Sequence, residues 1–287
     1  MVRLVLVFGY FVFVIGFPTG VLFGPYGFLV GLACALALFY TAFAKGEKQI
    51  VRSFGTRPLL LGESHSLETV LEEAEKRWKL RGVRCYVMPS PTVNVAVFRL
   101  PGQHASFVFT SQALRLEREE LLPLVVWSVA EGRSRKLIST SFLAVLLGML
   151  LPTRRRSSFV GKHHRHSVTT SWRVVLRSLV VYPLLLLPLI LLRTRDQGIR
   201  LDAQVTQWLG RPMLLAQLLR KIQTYQHQDH DAIPAPLRLL LLSPPHETHF
   251  LLSLVQNPTP FPVRIALLER SFSPVRVKKI LRSQEAS

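Results

Sequence analysis

Acidic side chains are scarce in this 287-residue chain. There are 17 Asp and Glu against 36 Lys and Arg, a formal charge of +19 at pH 7, so an anionic partner is expected, either a lipid surface or a nucleic acid. Cysteine is nearly absent. Cys34 lies in an apolar run and Cys85 in a strand-like run, which excludes a disulfide framework. No repeat of solenoid period is present. The chain also has no Gly-x-Ser-x-Gly elbow and no phosphate-binding loop, which removes two common signatures of acyl-transfer and nucleotide chemistry. Histidine is missing throughout 105–162, so no imidazole there can ligate a metal or act as a base.

Apolar residues are plentiful instead. They make up 49% of the chain, and mean hydropathy is +0.28. The length allows one or two domains with a sizeable core. Long apolar runs alternate with basic runs, the pattern of a membrane protein with positive cytoplasmic flanks. The basic runs lack aromatic interleaving, so no nucleic acid is expected. Residues 2–23 carry Arg3 as their one charge, Gly24-Pro25-Tyr26-Gly27 signals a turn, and 28–43 is apolar again. Roughly 20 residues span a bilayer core, so residues 1–44 predict a transmembrane hairpin. A cleaved signal peptide is disfavoured, because the apolar stretch is too long and a second follows at once. Lys45, Lys48, Arg52 and Arg57 place the remaining body, 45–287, on the cytoplasmic side. Two later apolar runs, 138–151 and 178–192, are short of a full span at roughly 22 Å each as helix, and Pro183 and Pro188 interrupt the second. Between them lie Arg154, Arg155, Arg156, Lys162, Arg165 and Arg173 without an acid. A re-entrant hairpin over 138–192 and a four-span arrangement both stay open. Arg276, Lys278, Lys279 and Arg282 add a basic tail, attracted to anionic headgroups by about 1 kcal/mol per cation near the surface.

The body reads as mixed structure. Ser66 precedes Leu67, Val70, Leu71, Ala74 and Trp78, spaced for one face of a helix. Ser66 is the expected N-cap, Glu68, Glu72 and Glu73 lie near the positive helix end, and Gly82 ends it. Residues 83–88 and 93–98 have strand character, split by Pro89-Ser90-Pro91, and 106–110 is a third β-rich run. Leu114 begins a helix, and 117–120 opens another with Pro123 in its first turns, where proline is tolerated best.

Several segments then fall in a telling order. Tyr86-Val87-Met88-Pro89-Ser90 precedes Asn94-Val95-Ala96-Val97, and Phe107-Val108-Phe109-Thr110 precedes Leu114. Arg118-Glu119-Glu120-Leu121 and Leu137-Ile138-Ser139-Thr140 bracket one helix. Asp202 is followed by Gly210, Pro212 and Leu218-Leu219-Arg220-Lys221-Ile222, and Pro260 by Arg264-Ile265. In this order and spacing they resemble the HtpX-like membrane metalloproteases, from the N-terminal hairpin to about residue 270. The resemblance implies a zincin-like, mostly helical domain with a small β-sheet. It also implies a peptide-binding edge strand, here Asn94, Val95, Ala96, Val97 and Phe98, which an extended polypeptide joins by backbone pairing. In that family two His one turn apart and a Glu on a later helix bind zinc, and the Glu beside the first His is the general base.

This chain departs from the pattern at those positions. Counted from Glu120-Leu121, the His-Glu-x-x-His slots fall on Trp127, Ser128, Val129, Ala130 and Glu131; counted back from 137–140 they fall on 126–130. Neither register holds a His or keeps the general base, and Glu131 alone offers a carboxylate. The third ligand, four residues before the retained Asp202, falls on Gly198. Other donors exist. His163, His164 and His166 sit among cations, which oppose metal binding, and His227, Asp229, His230 and Asp231 form a polar tract before Pro234. His246-Glu247-Thr248-His249 is one residue short of the zinc spacing and follows Pro244-Pro245. Ser128 has Glu131 nearby but no placed His, and Cys85 is expected to be packed.

The expectation is therefore an α+β, multi-pass protein of the cell membrane with its bulk cytoplasmic. It is expected not to be an enzyme, to hold no cofactor, and to act as a scaffold or regulatory subunit. Its partners would be the bilayer and a polypeptide or another membrane protein. One alternative is a zinc endopeptidase with a displaced site at His246, Glu247 and His249. Another is a structural protein whose peptide groove is closed.

Overall fold

The computed structural model describes residues 2–79, 82–150, 197–226, 240–242 and 260–270. The run 151–192, the histidine-bearing tracts at 163–166, 227–231 and 246–249, and the basic tail lie outside the described residues. In chain order the elements are α1 (Val2–Ser53), β1 (Arg57–Pro58), α2 (His65–Trp78), β2 (Arg84–Met88), β3 (Val95–Phe98), β4 (Ser106–Thr110), a 3₁₀ turn (Ala113–Arg115), α3 (Arg118–Arg133), α4 (Arg135–Leu150), α5 (Gln197–Leu209), α6 (Pro212–Gln226) and α7 (Phe261–Arg270). The architecture is mostly helical around one small mixed sheet.

α1 is two limbs joined by a break at Phe23 and Gly24, where Gly24 takes φ +66° ahead of Pro25. That backbone region is closed to most residues bearing a Cβ. The limbs fold back on each other, with Phe8 and Phe11 meeting Phe39 at ring distances of 4.9 and 5.7 Å. Glycines permit the approach. A Cβ on Gly31 would lie 2.6 Å from the Cα of Gly16 and against the Thr19 hydroxyl, and one on Gly27 would strike the Thr19 carbonyl. Gly16-x-x-x-Gly20 thus faces Gly27-x-x-x-Gly31, the small-residue packing that brings membrane helices into backbone contact. Val5, Leu6, Phe13, Phe17, Leu29 and Val30 face outward, apolar surface of the kind a bilayer covers.

The second limb continues to Ser53 and enters the body. Glu47 accepts hydrogen bonds from Arg84 (2.7 Å) and the Tyr86 hydroxyl (3.0 Å) on β2, while Ile50 and Phe54 are buried beneath the sheet.

The sheet order is β1-β2-β4-β3. β2 and β4 run parallel with Cys85 opposite Phe107, and β3 is antiparallel to β4 with Val95 opposite Phe109. Period-two alternation divides its side chains between two cores. Val95, Val97, Phe107 and Phe109 pack with α2, α3, α5 and α6. Ala96, Phe98, Val108 and Met88 pack with α1 and α4.

Two expected boundaries shift. The N-cap of α2 is Ser64, not Ser66: the Ser64 hydroxyl accepts the Leu67 N–H at 3.4 Å and also donates to the Leu114 carbonyl at 3.2 Å. The helix ends at Trp78 with Lys79 in the left-handed region (φ 48°), ahead of Gly82. β1 is an addition, a two-residue strand with Arg57 opposite Val87 and Pro58 opposite Tyr86.

Candidate functional site

α3 carries the positions that the family pattern would fill with His-Glu-x-x-His. Its N-terminus is favoured by Glu119 and Glu120 against the positive helix end. Its C-terminus is met by cations: Arg99 donates to the Gly132 carbonyl at 3.0 Å, and Arg133 donates to the Trp78 carbonyl. Between them the helix is almost wholly buried. Trp127 belongs to the core shared with α2, α5 and α6, and its indole N–H is buried without a hydrogen-bond partner among the described residues. Ser128 is fully buried and donates to the Leu124 carbonyl of its own helix at 2.8 Å. Such a back-bonded hydroxyl is committed to the backbone rather than to a substrate. Glu131 is also buried, one turn beyond Trp127.

α5 packs against α3, so the helices bearing the first and third ligand slots are neighbours. Gly198 opens α5. A Cβ there would sit 3.7–3.9 Å from the side chain of Arg264, in ordinary contact. Asp202, one turn on, is buried and accepts two 2.6 Å bonds from the Nε and Nη2 of Arg264 on α7. This bidentate pair fastens α7 to α5. Arg264 also lies over the Phe261 ring at 5.2 Å. Burial pushes the Asp202 carboxyl above the usual carboxylate range, and the Arg264 guanidinium pulls it back.

The donor set at these positions does not fit zinc. An indole and a glycine take the places of an imidazole and a carboxylate ligand, a bonded hydroxyl that of the general base, Glu131 leaves one carboxylate, and a guanidinium stands beside the glycine. Among the described residues, no three His, Cys, Asp or Glu are grouped to hold a metal ion. Cys85, expected to be packed, is half-buried against the core, and burial pushes its thiol up to about 12, far from the reactive thiolate.

The expected peptide edge is a strand at the end of the sheet, and Asn94–Phe98 are all buried. Asn94 ties the strand to β4: its N–H donates to the Thr110 hydroxyl at 3.0 Å and its carbonyl accepts that hydroxyl at 3.1 Å. The outer side of β3 holds a segment that sequence reasoning missed. Val97 N–H donates to the Leu240 carbonyl (3.0 Å), Leu242 N–H donates to the Val95 carbonyl (2.9 Å), and Ala96 stands opposite Leu241 in an antiparallel bridge. The one signal for it in the sequence is the leucine run 239–242, between Pro236 and Pro244.

No protein-family model matches the chain, and no solved structure matches it. Known proteins do. A protease HtpX homolog of Sulfurihydrogenibium sp. is 20% identical over 259 residues, 86% of this chain and 87% of that protein. One from Aquifex aeolicus is 23% identical over 219 residues, 73% of this chain and 72% of its own. A third, from Desulforapulum autotrophicum, is 23% identical over 252 residues, covering 85% and 81%. Over most of its length the chain resembles the HtpX-like peptidases.

That finding overturns the expectation that the chain is not an enzyme. The relatives matched over most of both lengths are named proteases, so the similarity points to an enzyme family. The expectation rested on the donors of α3 and Gly198. Those positions speak for one ligand set and not for the reaction of the whole chain, which has further His, Asp and Glu at 227–231 and 246–249. Residues 5–53 form a helix long and apolar enough to cross a bilayer.

Proposed function

We propose that this HtpX-like chain binds extended polypeptide, or an extended stretch of another membrane protein, along β3. It would do so as a scaffold or regulatory subunit of the cell membrane. In this reading 1–44 is a transmembrane hairpin and 45–287 a zincin-like domain on the cytoplasmic side, with 138–192 inserted as a second apolar hairpin. The observation that carries the proposal is the outer side of β3. Its outward Val95 carbonyl and Val97 N–H pair with the backbone of 240–242, which supports this edge as one that takes extended polypeptide.

A second reading is favoured by the protease names of the relatives. It is a zinc endopeptidase whose metal is held by His246, Glu247 and His249. One experiment addresses both. The full chain in nanodiscs is incubated with fluorescent, unfolded casein carrying a photo-crosslinker, and purified protein is assayed for zinc. Crosslinks mapping to 94–99 are expected. Saturable crosslinking that maps only elsewhere, or none at all, would sink the β3 proposal. Stoichiometric zinc lost in H246A/H249A, with chelator-sensitive casein fragments, would establish the endopeptidase.

A further inference from the structure

The described part of the segment on the outer side of β3, residues 240–242, has a backbone pairing that can be worked through bond by bond. In an antiparallel ladder, Ala96 and Leu241 form a non-hydrogen-bonded pair, and the flanking pairs, 97 with 240 and 95 with 242, would each exchange two bonds. Among the described residues one bond of each is made, from Val97 N–H and from Leu242 N–H. The Val95 N–H is instead taken by the Asn94 side-chain carbonyl at 2.9 Å. Continuing the ladder toward Val93 would call on the N–H of residue 244. That residue is proline, which has none.

The side chains reach both cores of the sheet without strict period-two alternation. Leu240 and Leu241 are buried in the core shared with α1 and α4, and Leu242 in the core shared with α3. Small Ala96 leaves room opposite the large Leu241.

We propose that Leu240, Leu241 and Leu242 are a tethered occupant of the polypeptide edge. An incoming polypeptide displaces them, and its own extended stretch presents consecutive aliphatic side chains to the same two cores. This rests on the polypeptide-binding reading above. Tethering keeps a weak occupant in place, because a segment of the same chain is present at a high effective concentration. A displacing strand without proline at the position of residue 244 gains the ladder bond that the occupant lacks.

Opposed residues of a non-hydrogen-bonded pair suit a disulfide in spacing, so the occupant can be locked. A96C/L241C is prepared as the full chain in nanodiscs, with C34A and C85A, and compared oxidised and reduced with L242P and the unsubstituted chain. The probe is a fluorescent peptide of sequence Leu-Arg-Leu-Leu-Leu-Leu-Ser, that of 237–243, with a lysine tag; empty nanodiscs are the control. Affinity is expected to fall at least tenfold on oxidation and to rise about tenfold in L242P, which removes the Leu242 donor. Equal binding by all four forms, or failure of A96C/L241C to oxidise, would overturn the tethered occupant. Absence of binding by every form, L242P included, to both this peptide and unfolded casein would instead overturn the polypeptide-binding reading.

Discussion

Removing Asp202 should release α7 from the body. Both side chains of the Asp202–Arg264 pair are 5% exposed, and two bonds of 2.6 Å join them. Asp202→Ala leaves a guanidinium in the interior without its counter-charge, and breaking a buried pair in this way costs about 3–5 kcal/mol. That is a large part of the 5–15 kcal/mol typical of a folded domain. Replacing both partners with apolar side chains, D202L/R264M, should cost far less, because no charge is left stranded. The structure also supplies a rescue. The Cβ position of Gly198 is 3.7 Å from the Arg264 Nε, so the carboxylate of G198D reaches the guanidinium from one turn earlier on α5. G198D in the D202A background should restore roughly half of the loss, an order-of-magnitude figure for a single charge-assisted contact. Denaturant unfolding of the full chain in micelles, with hydrogen exchange across 261–270, measures each step. A D202A chain within about 1 kcal/mol of the unsubstituted one, with unchanged exchange in α7, would refute the claim that this pair holds α7 in place.

Further predictions follow from single sites. Gly31→Val should separate the limbs of α1 and lower the folded yield, since its Cβ meets the backbone of Gly16. Gly9→Val, with nothing within 4 Å, should be tolerated; equal yields would remove the glycine contact from the account. Trp127→Phe deletes a buried indole N–H without a described partner. An orphaned donor costs about 1–3 kcal/mol, so the substitution should change stability by less than about 1 kcal/mol in urea unfolding, and a loss well above that would reveal a partner for the indole. The Cys85 thiol is pushed up to about 12 in the fold, against about 8.5 unfolded. The folded value is the higher, so its stabilising effect is complete below about 8.5 and is lost as pH rises toward 12, at up to about 1.4 kcal/mol per pH unit. Unfolding free energies from pH 8 to 10.5 should fall more steeply for the unsubstituted chain than for Cys85→Ala, and parallel slopes would count against the burial argument.

The strands of the sheet were legible because short apolar runs bounded by proline and glycine leave few other readings; 106–110 coincides with β4 and 83–88 encloses β2. Gly198 and Asp202 stand one turn apart, as counting requires, because α5 runs unbroken through both. What escaped detection depends on partners distant in sequence. Ser64 and Ser66 are equally good caps on paper, and the carbonyl of Leu114 singles out Ser64. β1 is two residues long and has no periodicity to show. The leucines at 240–242 fit a buried helix or a strand equally well, and only Val95 and Val97, far upstream, make them a strand. The glycines of α1 gain meaning once the turn at Gly24 sets Gly16 against Gly31.

The two cores explain why the edge strand and its occupant are so apolar. The core on one face of β3 is walled by α1 and α4: Phe142 stacks on Phe43 at 4.8 Å, and the Ser141 hydroxyl accepts the Arg99 N–H at 3.0 Å at the end of β3. α1 is the same helix whose outward face suits a bilayer. A strand added to β3 would therefore send alternate side chains toward α1 and α4 and toward α3. Any polar side chain on such a strand would lose its water in one core or the other, at a cost of about 1–3 kcal/mol where it finds no partner. Under the proposed polypeptide binding, selection for aliphatic stretches would be set by the position of the sheet, between the limbs of α1 and the body.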